Sequence, residues 1–383
     1  MSRNVLARVH VGCARLLEGG FVAEIAVGDY RYTTESHLQR FIASILEKNG
    51  VRAEDAAIVG KVLTASDLRG IESHGAARLE SYYVSRIRNK QLNPTPEVTV
   101  LQETPASLAV DGDNGLGHPV AYRTMQAIIE KAKSNGSAFG TVRSSNHFGI
   151  AGFYAMMALE HDMIGIASTN SVRYGAPTFG RSVMLGTNPL AFAIPSAVEP
   201  HFVFDFATTT VPRGKLEVYK RKELPLKDGW AIDADGHPTT DPDAALKGAL
   251  LPLGGFGTEH GGHKGFGLGL LVDLLCGVLG GGAFANALPL PNSAPQSGAI
   301  SHFFGAIRID GFRDPSAFKQ DVAAALTEFR ESAKVPGAER IYVAGEIEYE
   351  NTLKYRANGV PIHQKVWSTL EALAKEYSVD FFA

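Results

Sequence analysis

The stretch Ser137–Ser171, "SAFGTVRSSNHFGIAGFYAMMALEHDMIGIASTNS", reads as strand, helix, strand. "SAFGTVRSS" and "MIGIASTNS" are short apolar runs, and the small-residue segment "GIAGFYAMMALEHD" between them reads as a helix. Alternation of this kind predicts an α/β sheet. Upstream, "ASLAVDGD" reads as a strand ending in a turn, and "GHPVAYRTMQAIIEKAKSNG" as a helix with Gly136 at its end. Downstream, "PLAFAIP", "HFVFDFATT" and "AISHFFGAIRIDGF" read as further strands. Between them, from about Pro225 to Pro252, the chain is polar and turn-rich and reads as loop.

Helices flank this centre. In "TTESHLQRFIASILEKNG", Leu38, Phe41, Ile42, Ile45 and Leu46 share one face, Thr34 stands at the N-cap and Gly50 just past the end. A second helix is predicted over 53–67, burying Val59, Val62 and Leu63, and a third from near Ser73 to about Lys90. Pro94 and Pro96 then close the helical part. Near the C-terminus, "DPSAFKQDVAAALTEFRESA" is an amphipathic helix with Asp314 or Ser316 as its cap, and "HQKVWSTLEALAKEY" is the terminal helix. "FGLGLLVDLLCGVLGGGAFA", from Phe266, holds Asp273 and several glycines; it is too interrupted for a membrane span and reads as a buried helix.

The Rossmann dinucleotide fingerprint needs G-x-G-x-x-G directly after a strand and opening a helix. "DNGLGHPV" offers only Gly115 and Gly117, and "GFGLGLL" is preceded by loop rather than strand. A nicotinamide cofactor, if it binds, is held by another fold.

The 383 residues are 45% hydrophobic and 20% charged, which suits a globular chain of two or three lobes. A net charge of −3 gives no long-range attraction to nucleic acid or anionic membrane. Two cysteines, Cys13 and Cys276, make no disulfide framework and fit a reducing compartment. "MSRNVLARVHVGCARLLEGG" is arginine-bearing and has no acid before Glu18, but it lacks a secretory apolar core. It is read as an extension without an assigned role, and the expected location is cytoplasmic.

Four patches carry chemistry. In "SDLRGIESHGAARLESYY", His74 and Arg78 lie four residues apart, which on one helix would place imidazole and guanidinium on a common face. An arginine fork suits a carboxylate, and a near-neutral imidazole suits proton transfer to an adjacent oxygen; the pair fits a 2-oxo or 2-hydroxy acid. In "SSNHFGIAG", His147 stands between a strand and a helix, where ligands collect in α/β folds. In "HFVFDFATTT", Asp205 interrupts an apolar run and needs a partner, an imidazole or a ribose or amide donor. In "EHGGHKGFG", glycines, His263 and Lys264 precede a helix and favour an anion such as a pyrophosphate; His260 and His263 have no further ligand at convincing spacing, so no metal is expected.

Taken in order, these patches resemble the malate/L-lactate dehydrogenase family of non-Rossmann, NAD(P)-dependent oxidoreductases. Its members also include sulfolactate, ureidoglycolate and diketogulonate oxidoreductases and cyclic-imino-acid reductases. The similar stretches are "SDLRGIESHGAARL", "DGDNGLGH", "SSNHFGIAGFYA", "MIGIASTNS", "LGTNPLAFAIP", "FDFATT" with "PRGKLEVY", "GWAIDADGHPTTDP", "LLPLGGFG" and "GGHKGFGLGLLVD", within about 35–370. "GKLEVYKRK" and "ALLPLGGFGTEHGGHKGFGL" look most like the malate dehydrogenase branch. The resemblance implies a homodimer whose mixed-sheet NAD(P)-binding domain is flanked by helical segments that form a second lobe. It places a proton-transfer histidine at His74, a substrate arginine at Arg78 and a second histidine, the base in some branches, at His147. It places cofactor contacts at Ser171, Asp205, Phe206, Ala207, His263, Lys264, Gly265, Phe266, Gly345 and Glu346. Two departures stand out: Phe206 occupies a position where the family often has Met, and the N-terminus is longer.

The expectation is an NAD- or NADP-dependent 2-hydroxy acid dehydrogenase with (S)-malate as first substrate and L-lactate or sulfolactate next. Its expected parts are an extension (1–32), a helical N-terminal lobe (33–118), a cofactor-binding α/β domain (119–310) and a C-terminal helical segment (311–383) packing back on that lobe. Ureidoglycolate and cyclic imines are the alternative substrates. A non-catalytic protein binding nucleotide or organic acid is the alternative class.

Overall fold

A computed structural model describes residues 29–290 and 298–381, so most of the N-terminal extension, with Cys13, lies outside the described residues. Strand β1 (Tyr30–Thr33) pairs antiparallel with β11 (Val360–His363), tying the two ends of the described chain together. Helix α1 (Glu35–Lys48) starts as expected: Thr34 accepts the His37 N–H, and Leu38, Phe41, Ile42, Ile45 and Leu46 are all buried. Gly50, at φ 86°, turns the chain away after it. Helix α2 (Ala53–Leu68) lies so close to α1 at Gly60 that a Cβ there would meet the Gln39 carbonyl oxygen at 2.6 Å.

The third predicted helix is not one helix. Residues Glu72–His74 and Ala76–Arg78 form two separate 3-10 turns, followed by a π turn at Leu79–Val84 and a short α3 (Ser85–Arg88). The break has a physical cause in Asp67, at the end of α2. Its buried carboxylate accepts the Ala76 N–H at 2.8 Å and stands where any side chain on Gly75 would go: a Cβ would be 1.9 Å from Oδ1. A continuous helix would bind that N–H itself. Ser73 therefore caps no helix.

Seven strands form the central sheet: β2 (Thr99–Thr104), β3 (Ser107–Asp111), β4 (Ser137–Ser145), β5 (Met163–Thr169), β6 (Leu190–Ile194), β7 (Phe202–Phe206) and β10 (Ile300–Arg308). Their order is β2-β3-β4-β10-β5-β6-β7. β3 runs parallel to β4, while β4 and β5 are each antiparallel to the β10 between them. Two antiparallel steps carry β5 through β6 to β7. It follows that β3, β4, β5 and β7 all end at one edge of the sheet.

Strand alternation divides the core. One face carries Leu108, Val142, Ala167, Val203 and Phe304 against α4 (Gly117–Asn135) and α5 (Ala151–Met156). The other carries Ile166, Phe192, Phe206 and Phe303 against Val272 and Cys276, which come from α8 (Gly262–Asp273) and the π turn after it. The 266–285 segment is thus not wholly buried as expected. Leu270, Leu271, Leu274, Val278 and Leu279, at helical spacing, are 38–64% exposed on its outer side. No helix among the described residues is long and apolar enough to cross a membrane.

Between β7 and α8, α6 (Arg213–Arg221), α7 (Pro242–Lys247) and the two-residue strands β8 (Ala231–Ile232) and β9 (Ala249–Leu250) surround a small core of Leu216, Tyr219, Leu226 and Leu250. Structure therefore replaces part of the expected 225–252 loop. At the C-terminus, α9 (Pro315–Glu331) is capped by Asp314 and accepts the Ala197 N–H at Lys319. α10 (Glu346–Asn358) leads to β11, and α11 (Gln364–Tyr377) buries Leu370, Leu373 and Ala374 in the core of α1 and α2.

Candidate active site

The edge where four strands end gathers the predicted residues. His147 lies two residues beyond β4, Ser171 two residues beyond β5, and Asp205–Ala207 spans the end of β7. This is where open α/β sheets bind ligands. His302, at the start of β10, fastens the edge. Its Nδ1 meets Thr169 Oγ1 and its Nε2 meets Ser145 Oγ, both at 2.8 Å, and its ring stacks on Phe148 at 4.5 Å. Burial lowers its pKa to about 3, so the ring is neutral and joins the last residues of β4 and β5 without bringing a charge. The glycines of "DGDNGLGH" also serve this edge. A Cβ on Gly117 would lie 2.1 Å from the Asn146 carbonyl oxygen, and Asn146 Nδ2 donates to the Gly115 carbonyl at 2.8 Å.

The structure brings His74, Arg78 and His147 together. The His74 and His147 rings stack with centroids 5.4 Å apart and planes 27° from parallel. The two 3-10 turns, rather than a shared helix face, deliver the first two. His74 Nδ1 bonds Ser73 Oγ at 2.9 Å, and Arg78 Nε donates to the Ser73 carbonyl at 2.7 Å. Arg78 is exposed and has no carboxylate in ion-pair distance among the described residues. Burial, then the Arg78 cation, lowers His74 to about 4. Burial first, then the basic groups around it (His74, His118, Arg78 and His302), holds His147 well below the usual histidine range. Near pH 7 both rings are neutral, so each can either accept a proton or donate one N–H. Three neighbours were not anticipated from sequence. Tyr82 packs its ring 5.2 Å from that of His147, Tyr83 bonds His147 Nδ1 through its hydroxyl at 2.6 Å, and His118 lies beneath Tyr83.

The expected cofactor residues fall in two groups. Asp205 points toward α5, where Oδ2 accepts the Gly152 N–H at 2.7 Å; the carboxylate is engaged there and not with His74. Burial raises its pKa to about 6 against the opposing pull of that N–H and of Arg69. A cavity of about 290 Å³ opens between Arg69, Asp205, Tyr342 and Gly345. Gly345, at φ 95°, starts α10 beside Val203, where a Cβ would come within 3.0 Å of the Val203 N. The Glu346 carboxylate is used internally by Arg330, Arg340 and the Val343 N–H, and its own N–H donates to the Val343 carbonyl at 3.2 Å. Phe206 projects to the opposite face of β7 from Asp205 and stacks on Phe204 at 4.2 Å.

Along the same edge, Ser171 Oγ accepts the Thr187 N–H at 3.1 Å and Asn188 Nδ2 donates to the Gly269 carbonyl at 2.8 Å, joining the 185–188 turn to α8. Gly265 lets the first turn of α8 lie against Leu253, where a Cβ would be 2.1 Å from the carbonyl oxygen. His263 and Lys264 are exposed on that turn, and Phe266 is half-buried behind them. Lys264 and Gly265 line a cavity of about 450 Å³ with Gly254 and His260. A lysine beside helix N–H groups suits a pyrophosphate, and the Asp205 carboxylate in its cavity suits a ribose hydroxyl. These donor types fit a nicotinamide dinucleotide.

Two neutral imidazoles beside a guanidinium, where four strands of a sheet without a Rossmann turn end, can together hold a carboxylate and move a proton on a neighbouring oxygen. The malate/L-lactate dehydrogenase family profile matches residues 33–371, and the chain belongs to that family. It is 43% identical to malate dehydrogenase of Pyrococcus horikoshii over 95% of this chain and 99% of that one. It is 36% identical to L-sulfolactate dehydrogenase of Methanocaldococcus jannaschii over 89% and 96% of the two chains. The crystal structure of malate dehydrogenase from Entamoeba histolytica superposes with a TM-score of 0.87 at 36% identity, covering 92% of this chain and 99% of that one.

Proposed function

We propose that this hydroxy acid dehydrogenase acts on (S)-malate, with L-lactate and sulfolactate as slower substrates, and that His74, Arg78 and His147 form its reacting site. The observation that carries the reading is the stacked His74–His147 pair beside Arg78. Arg78 is anchored through Nε, which leaves its terminal nitrogens to hold the C1 carboxylate as a fork. The two imidazoles then meet the C2 oxygen and manage its proton. The cofactor, NAD or NADP, supplies the hydride acceptor. Lys264 with the first turn of α8, the Ser171 turn and Asp205 are the groups that would hold it. Fixing the acid by its carboxylate orients C2, and orientation is the chief contribution a protein makes to hydride transfer.

The protein is further read as a cytoplasmic homodimer. The exposed apolar row Leu270, Leu271, Leu274, Val278 and Leu279 supports association, and the free, buried Cys276 is compatible with a reducing compartment. The substrate is tested by following the reduced nicotinamide absorbance with oxaloacetate, pyruvate, sulfopyruvate and a cyclic imine, each with both cofactors. Oxaloacetate is expected to exceed the others in kcat/KM by about tenfold or more, the worth of one well-placed charge contact. Turnover of the cyclic imine alone would reject the reading.

A further inference from the structure

A neutral imidazole carries one N–H, and its role toward substrate depends on which nitrogen holds it. For His147 the surroundings make the choice. The Gly149 main-chain N–H, which can only donate, points at Nδ1 from 3.3 Å, and the Tyr83 hydroxyl lies 2.6 Å from the same atom. A nitrogen that accepts from a main-chain N–H bears no proton, so the proton of His147 sits on Nε2. Tyr83 has no other acceptor for its hydroxyl among the described residues. It is fully buried, and burial raises its pKa well above the usual phenol range, so it keeps its proton. The ring beside it, His118, is fully buried with neither nitrogen hydrogen-bonded, and it faces Tyr83 at right-angled ring packing, 4.9 Å between centroids. The π turn is what makes the contact. Its widened winding sets Tyr82 and Tyr83, consecutive residues, both against His147.

We propose that Tyr83 is a positioning residue that locks His147 as the Nε2–H tautomer, making His147 a fixed hydrogen-bond donor to the C2 oxygen and leaving His74 to take the proton. The proposal rests on the reading of His74 and His147 as the substrate-facing pair. His74 has the complementary arrangement: Nδ1 is tied to Ser73 Oγ and Nε2 has no protein partner among the described residues. In the oxidising direction, the C2 hydroxyl O–H bond breaks and its proton passes to His74 Nε2. The oxygen's electron pair becomes the second bond to C2, as C2 releases its hydride to the acceptor named above. The Nε2–H of His147 stays in place throughout and supports the negative charge on oxygen as it develops.

Nitrogen-15 NMR of the full-length, substrate-free protein labelled at histidine tests this directly, the His147 signals being assigned by their loss in His147→Gln. The expected wild-type spectrum at neutral pH shows His147 protonated at Nε2 and bare at Nδ1. Tyr83→Phe is expected to populate both tautomers and to lower turnover about tenfold, the worth of one hydrogen bond. A wild-type His147 protonated at Nδ1 would overturn the proposal, as would a Tyr83→Phe variant unchanged in both spectrum and turnover. Should Tyr83→Phe not fold, the wild-type spectrum decides alone. The two readings separate cleanly: a fully active His147→Gln rejects His147 as a substrate-facing group, whereas an inactive one with an Nδ1–H spectrum rejects only the tautomer lock.

Discussion

At the scale of single residues, the proposed roles divide the work, the proton to His74 and the carboxylate to Arg78. His74→Ala is expected to lower kcat by about 10²–10⁴-fold, the usual share of a general acid or base, with cofactor affinity nearly intact in a fluorescence titration. An active variant would remove His74 from the chemistry. The grouping of these two residues with His147 was legible in the sequence because each sits in a short stretch similar to one family's. Their supports were not. Tyr83 reaches His147 across 64 residues, and His302 reaches Ser145 across 157. Nothing local marks such pairings. A histidine in the apolar run "AISHFFGAI" is at most a hint that a strand carries a buried polar group. The Asp205 carboxylate interrupting an apolar run signalled a need for a partner, and of the alternatives open in the sequence it takes an amide donor, the Gly152 N–H.

Among the elements, the turn carrying His74 depends on a contact between α2 and Gly75. Gly75→Ala would drive a methyl into the Asp67 carboxylate, 1.9 Å from Oδ1, so backbone must shift. A loss of about 1–3 kcal/mol in denaturant unfolding is expected, with a fall in turnover larger than the stability loss alone would cause. A variant with unchanged stability and activity would show that the clamp is unimportant. Regular elements were readable where period and caps agree, as in α1, whose Thr34 cap and five buried residues are all local features. The 72–88 segment was misread as one helix because the residue that breaks it, Asp67, acts through space. α10 was missed because its sequence, "EIEYENTLKYRAN", buries only Glu346 and so shows no apolar face.

Over the whole molecule, two properties follow from what the fold buries and what it exposes. His118 and His302 are fully buried and held to about 3 by desolvation. The unfolded chain protonates each near about pH 6.5. Between those values the unfolded state binds more protons, so stability present above the unfolded pKa is lost as pH falls toward 3. His118→Phe is expected to flatten the dependence of unfolding free energy on pH between about 4.5 and 5.5 by close to one proton, about 1.4 kcal/mol per pH unit. An unaltered slope would mean that His118 is not neutral in the native state. The apolar row on α8 and the π turn after it makes the second prediction, for the proposed homodimer: Leu274→Glu with Leu279→Glu should shift sedimentation from dimer to monomer, and an unchanged dimer would move the interface elsewhere. The sheet order itself was beyond sequence reading. Placing β10 between β4 and β5 pairs residues about 130–170 apart in sequence, and no local pattern encodes that choice.

In the proposed site a guanidinium and two neutral imidazoles at one sheet edge hold a small hydroxy acid beside a nicotinamide. This arrangement is tested most directly by oxidation of (S)-malate, followed at the reduced nicotinamide band for wild type and Arg78→Ala side by side. Wild type is expected to turn over malate, and the variant to show a malate KM raised about 100-fold with the cofactor KM unchanged, as loss of a charge-assisted bidentate contact requires. An unchanged malate KM in Arg78→Ala, or a wild-type protein inert toward every 2-hydroxy acid, would contradict it.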